Sequence, residues 1–175
     1  MRRENCQFSA YEAWLRSESN KIAAEPGETV VGGVNPLGNP DAPPWFVDIA
    51  IIFQGNMYIR VQEYYRPLPK ASGGGGCLET FTYHYGPCTN TRDADGFPKY
   101  SARYELRIDR HTLDGQPRIN HAHYMKEDHI PESRLLGLDF SQMDPFKFIK
   151  AVQEHRQSPA KPLHEILGFK VVPTK

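Results

Sequence analysis

The sequence predicts an α+β domain with a mostly antiparallel sheet of about five or six strands and an N-terminal and a C-terminal helix packed on one face. Three observations carry this expectation. Two runs rich in β-branched and aromatic residues flank the short turn QGN within FVDIAIIFQGNMYIRVQEYY, the pattern of a β-hairpin. The run KYSARYELRID alternates apolar and polar residues with the period of two of a half-buried strand. Helix-start signals fall near the two ends of the chain.

In chain order, Ser9 followed by Glu12 has the form of a capping box, and Tyr11, Trp14, Leu15 and Ile22 share one face of a 3.6-residue period. A helix is therefore expected there, ending near residue 24. Residues 25–44 contain EPGE and NPLGNPDAPP and read as an irregular surface loop or arm. The hairpin follows, with Gly and Asn at turn positions that tolerate positive φ. Residues 66–76, RPLPKASGGGG, read as a second flexible connector, because glycine runs are entropically costly to order. No Lys-Ser/Thr follows these glycines, so a phosphate cradle is not indicated. CLETFTYHY is the third strand, KYSARYELRID the fourth and RINHAHYM the fifth, the last two joined around LDGQP; together they form a meander. Asp144 and Pro145 make an N-cap and N1 pair for a helix with Phe148, Ile149 and Val152 on one face. LGFKVV reads as a final short strand.

At 175 residues the chain reads as a single domain, 1–175, able to bury a core without disulfides or a structural metal. Lys+Arg and Asp+Glu are both 21, so any nucleic-acid binding must come from a local patch. The start of the chain has two arginines but no apolar run of signal-peptide length, and no stretch approaches transmembrane length. A cytoplasmic protein with no membrane association is expected. Cys6, Cys77 and Cys88 match no zinc spacing and read as free thiols, a Cys77–Cys88 bridge being the alternative.

The alternation in three strands gathers Tyr58, Arg60, Gln62, Thr82, His84, Arg103, Glu105, Arg107 and Asp109 on one polar face, opposite Tyr100, Ala102, Tyr104, Leu106 and Ile108. Guanidinium forks match phosphate oxygens and tyrosines offer stacking planes, so Arg60, His84, Arg103, Arg107 and Tyr58 are candidate RNA-binding residues. The alternative is an ordinary solvated sheet face with charges paired across strands. In RINHAHYMKEDH, His121 and His123 are two apart, so their rings share one face of a strand. As an H-x-H metal pair they lack a specified third ligand; Asp109, His111, His129 and Asp128 are candidates, but no fixed-spacing motif selects one. As acid/base groups, one imidazole could take a proton from a ribose 2′-hydroxyl while another, or an arginine, serves the leaving oxygen or the phosphate charge. As strand residues, they are half-buried and hydrogen-bonded to neighbours. The acid/base reading takes His121, His123, Asp109 and His111 as catalytic candidates, with no metal and no cofactor. His155 and His164 read as surface residues.

The succession VDIAIIFQGNMYIRVQEY, FTYHY, ARYELRIDRH and PRINHAHYM resembles the TumE-like toxins of bacterial toxin–antitoxin pairs, over roughly residues 47–125. That group has two early strands around a Gly-containing turn, a YSYHY-like strand, an Arg-Tyr-Asp-like strand followed by His, and a Pro-His-x-His segment. Here RYELRID separates the Arg-Tyr from the Asp and INHAH replaces the Pro-adjacent histidine. The resemblance implies a shared fold and toxicity through RNA, with His84, Arg103, Arg107, Asp109, His111, His121 and His123 at the matching positions. The expected function is thus a small toxin-like protein with an RNA substrate, a metal-independent ribonuclease, and a cognate antitoxin as partner. The alternative is a non-catalytic module that binds another protein partner, an immunity or defence accessory protein. Exposed Trp45, Leu37 and Phe97 would serve that module as anchors.

Overall fold

In the computed structural model, residues 8–23, 25–36, 44–67, 76–100, 105–111, 119–124 and 127–173 are described. The first element is helix α1 (Phe8–Ile22). Tyr11, Leu15 and Ile22 fall on its buried side, at the helical spacing the sequence predicts. The helix begins before Ser9, which therefore lies in its first turn and not at its N-cap.

The next segment departs from expectation. Within the region read as loop, Thr29–Pro36 forms strand β1, paired along its length with β2 (Trp45–Phe53). Proline and glycine outweighed the signal of Val30, Val31 and Val34, yet the outer strand of a sheet tolerates both residue types because one side of its backbone needs no partner. The second connector is also shorter than expected: Arg66 and Pro67 close β3 (Met57–Pro67), and Gly76 opens β4 (Gly76–Arg92). Residues 37–43 and 68–75 lie outside the described residues. Between β2 and β3 the QGN turn is a single 3-10 turn, Gln54–Asn56, with Gly55 at φ 75° and Asn56 at φ 59°. These are the positive-φ conformations that Gly and Asn adopt at least cost.

The expected fourth strand is described in two parts, β5 (Pro98–Tyr100) and β6 (Leu106–His111); residues 101–104 between them lie outside the described residues. β7 (Ile119–Tyr124) and β8 (Glu127–Pro131) complete the main sheet. Among the described residues this sheet has 8 strands, more than the five or six expected, in the order β1-β2-β3-β4-β6-β7-β8 with β5 on β4. Every pairing is antiparallel. A second small sheet pairs β9 (Leu135–Leu136) with β10 (Lys170–Val171), the expected final strand.

Register makes one face the core. Ile49, Val61, Tyr83, Ile108, Ala122 and Ile130 stand opposite one another across six strands and are all buried. Helix α2 (Pro145–Gln157) adds Phe148, Ile149 and Val152 to the same cluster, and its Phe148 ring lies 5.7 Å from that of Tyr83. Asp144 caps it as expected, accepting the Lys147 backbone N–H at 2.7 Å, with Pro145 in its first turn. Trp14 of α1 and Phe146 of α2 meet at 5.6 Å. Leu106 and Ile108 are buried and Arg107 is partly exposed, the phase the alternation predicts. Cys77 and Cys88 are free. Eleven positions apart on one extended strand, they stand roughly 36 Å apart at about 3.3 Å per residue, far beyond disulfide reach.

The opposite face is not uniformly open. Toward β1, the second cluster Ala50, Ile52, Tyr58, Cys88 and Phe97 covers it. The Asp93 carboxylate turns the chain there by accepting the Asp95 and Phe97 N–H groups at 3.0 and 2.8 Å. Gly32, at φ 85°, makes room for this cover: a Cβ on it would lie 2.5 Å from the Phe97 ring and 2.1 Å from the Asp48 carbonyl oxygen.

Candidate functional site

The uncovered part of the second face lies over β6, β7 and β8. Alternation places Asp109 and His111 on one side of β6, and His121 and His123 on the same side of β7. Antiparallel register sets Asp109 opposite His121 and Arg107 opposite His123. The neighbouring strand supplies Thr82 opposite Asp109 and His84 opposite Arg107. On β8 the register shifts opposite His123, and His129 takes φ 93°. A left-handed, non-glycine residue inside a sheet is a strained conformation of the kind that gathers at functional sites. Here it brings the His129 ring onto His121, with centroids 4.3 Å apart and planes at 22°.

Asp109 is the centre. Its carboxylate has no exposed area; it accepts from Thr82 Oγ1 at 2.7 Å and from Arg107 Nε at 2.8–3.0 Å. Three imidazoles surround it, with Nε2 atoms of His123, His121 and His111 at 3.2, 3.5 and 3.6 Å from its oxygens. Burial pushes the Asp109 carboxyl up, but the hydrogen bond from His123, the Arg107 charge and the Thr82 hydroxyl outweigh it and hold the pKa below the usual carboxylate range. Asp109 is therefore an anion. His121 is pulled down to about 4, chiefly by burial, against the attraction of Asp109 and with the help of the neighbouring histidines. His84 is pulled down to about 3 by burial and then by the Arg107 charge. Both rings are neutral at pH 7.

All four catalytic candidates thus meet at one place, and Arg107 joins them. Of the other expected RNA-binding residues, His84 adjoins the cluster opposite Arg107 but is enclosed, and Tyr58 and Arg60 are engaged elsewhere. The Tyr58 ring is fully buried, its hydroxyl 3.0 Å from His84 Nδ1, so it presents no plane on which a base could stack. His84 is enclosed beneath the same face. Arg60 forms a two-pronged pair with Asp48 at 2.8 and 2.7 Å and lies over the Phe97 ring. Arg103 lies outside the described residues. Among the described residues, the Arg60 charge is thus paired with Asp48, and Arg107 is the arginine that stands beside the Asp109 cluster.

Alternation puts Thr82 on this face without giving it a role, and the sequence marks His129 only as a possible metal ligand. Both depend on long-range register, which no local spacing encodes. Trp45 and Phe97, the proposed protein-docking anchors, are buried; Leu37 and the side chain of Asp128 are outside the described residues. His155 and His164 are half-buried: His155 Nδ1 lies 2.8 Å from the Lys161 carbonyl oxygen, and His164 packs edge-on against Tyr124. A separate cavity of about 260 Å³, lined by Glu105, Tyr124, His155, Pro159, Pro162 and Leu163, shares no residue with the Asp109 cluster.

Comparison with protein-family models, curated proteins and solved structures finds no match to this chain. No helix among the described residues is long and apolar enough to cross a membrane.

Proposed function

We propose that the Asp109 cluster is the active centre of an RNA-cleaving, toxin-like enzyme. One observation carries the reading: the His123 imidazole rests on the buried Asp109 carboxylate at 3.2 Å, beside a guanidinium that is partly exposed. A carboxylate that orients an imidazole fixes its tautomer and stabilises its protonated form, which suits it to proton transfer. An adjacent arginine stabilises charge on a transferring phosphoryl group. In this reading His123 takes the proton of a ribose 2′-hydroxyl, the resulting alkoxide attacks phosphorus, and the charge that builds on the phosphate oxygens faces Arg107. As the bond from phosphorus to the 5′-oxygen breaks, leaving a 2′,3′-cyclic phosphate, that oxygen takes its proton from solvent water. The resemblance to TumE-like toxins supports RNA as the substrate and a cognate antitoxin as partner.

Expression in a bacterial host tests this. Wild-type chain should arrest growth with loss of cellular RNA, and His123→Ala should relieve the arrest while keeping the wild-type melting curve. Growth unaffected by the wild type, with RNA intact in the absence of an antitoxin, would remove the reading.

A further inference from the structure

His121 is nearly enclosed, with 7% of its surface exposed, yet neither of its nitrogens has a conventional hydrogen bond among the described residues. Nδ1 is buried without a partner, and Nε2 stands 3.5 Å from the Asp109 carboxylate. His111 Nε2 stands 3.6 Å from it. Good N–H···O bonds span about 2.7–3.2 Å, so both rings are held just too far away to bond the carboxylate directly. The separations suit something else. Around a tetrahedral ion with bonds of about 2.1 Å, neighbouring ligand atoms lie about 3.4 Å apart. Ligand atoms from Asp109, His111 and His121 all lie within 4.8 Å of one another.

We propose that Asp109, His111 and His121, with His129 closing over His121, form a mononuclear site for a divalent first-row transition ion such as zinc. The inference rests on the reading of this cluster as the chemical centre of the protein and adds an ion to it. Two imidazoles and one carboxylate are the donor set that such ions favour, and three protein ligands leave a position for water or substrate. Thr82 and Arg107 hold the carboxylate from behind, as residues outside the coordination sphere do at metal sites. With one carboxylate against a dication and Arg107, the loaded site carries excess positive charge, which suits an anionic phosphodiester. His123, within hydrogen-bonding distance of Asp109, remains outside the ion's ligand set. The sequence expectation of a metal-free site rests on an H-x-H pair with no specified third ligand; strand register instead brings one member of that pair, His121, to Asp109 and His111.

The test uses the purified full-length chain, stripped with a chelator and titrated with zinc alone, followed by calorimetry and thermal melting. About one equivalent should bind and raise the melting temperature, because the ion binds only the folded state. Cobalt in its place should give visible absorption of a low-symmetry nitrogen and oxygen site. His121→Ala should abolish binding. His111→Ala, at a ring 40% exposed and therefore safe for folding, should weaken it about tenfold or more, whereas His155→Ala should leave it unchanged. Absence of zinc binding, or binding equal to wild type in folded His111→Ala, overturns the site. No zinc bound with RNA still cleaved removes the ion and leaves the RNA reading. Zinc bound, lost in His111→Ala, with no RNA cleaved keeps the ion and removes that reading.

Discussion

Glu63 points into the core face, with no exposed area, and collects the hydroxyls of Tyr11, Tyr65 and Tyr83, the last two at 3.0 and 2.5 Å. A buried carboxylate persists in such a place only with its lone pairs filled. Glu63→Ala would strand three hydroxyls at once, so a loss of about 2–5 kcal/mol is expected in a denaturant melt. A loss near zero would mean that water reaches the hydroxyls. His84 makes the second prediction at this scale. Its pKa is near 3 when folded and about 6.5 when unfolded. Between these values the unfolded chain binds more protons, so stability must fall as pH falls from about 6.5 toward 3, at up to about 1.4 kcal/mol per pH unit for this one group. His121, near 4 when folded, adds to the same decline down to its own value. His84→Gln should therefore flatten the pH dependence of the urea midpoint between pH 6 and 4, even if it lowers stability overall. An unchanged slope would show that His84 is not held neutral.

Among the elements, β6 shows what a single strand reveals. Alternation alone assigned Leu106 and Ile108 inward, and a slip of one residue would have driven Arg107 into the core, so the phase was legible locally. Leu106→Ala, at a fully buried position, should cost about 2–5 kcal/mol; a change within the error of the melt would contradict the register. The burial of Asp109 on the other face was not legible, because it is imposed by side chains from β4 and β7. β1 was hidden for a different reason. Its three valines are interrupted by glycines that serve packing, with Gly32 lying under Phe97. Gly32→Ala should lower stability by more than the roughly 1 kcal/mol of an ordinary strand substitution, since both its positive φ and the neighbouring ring oppose a side chain.

In the molecule as a whole, one sheet separates two environments: a core face whose buried cluster includes residues of α1 and α2, and a second face divided between a small apolar cover and the Asp109 cluster. The H-x-H pair, the alternation and the candidates His111, His121, His123 and Asp109 were readable from sequence, but the register of β6 against β7 that sets Asp109 opposite His121 was not, nor was the approach of Thr82 from β4 and of the left-handed His129 from β8. The cluster's role as an RNA-cleaving centre is tested most directly by the rate at which purified protein cleaves a labelled single-stranded RNA, compared with His123→Ala at matched folding. Loss of a proton-transfer group should reduce the rate about 10²–10⁴-fold. Equal rates for the two proteins, or intact RNA with the wild type, would contradict it.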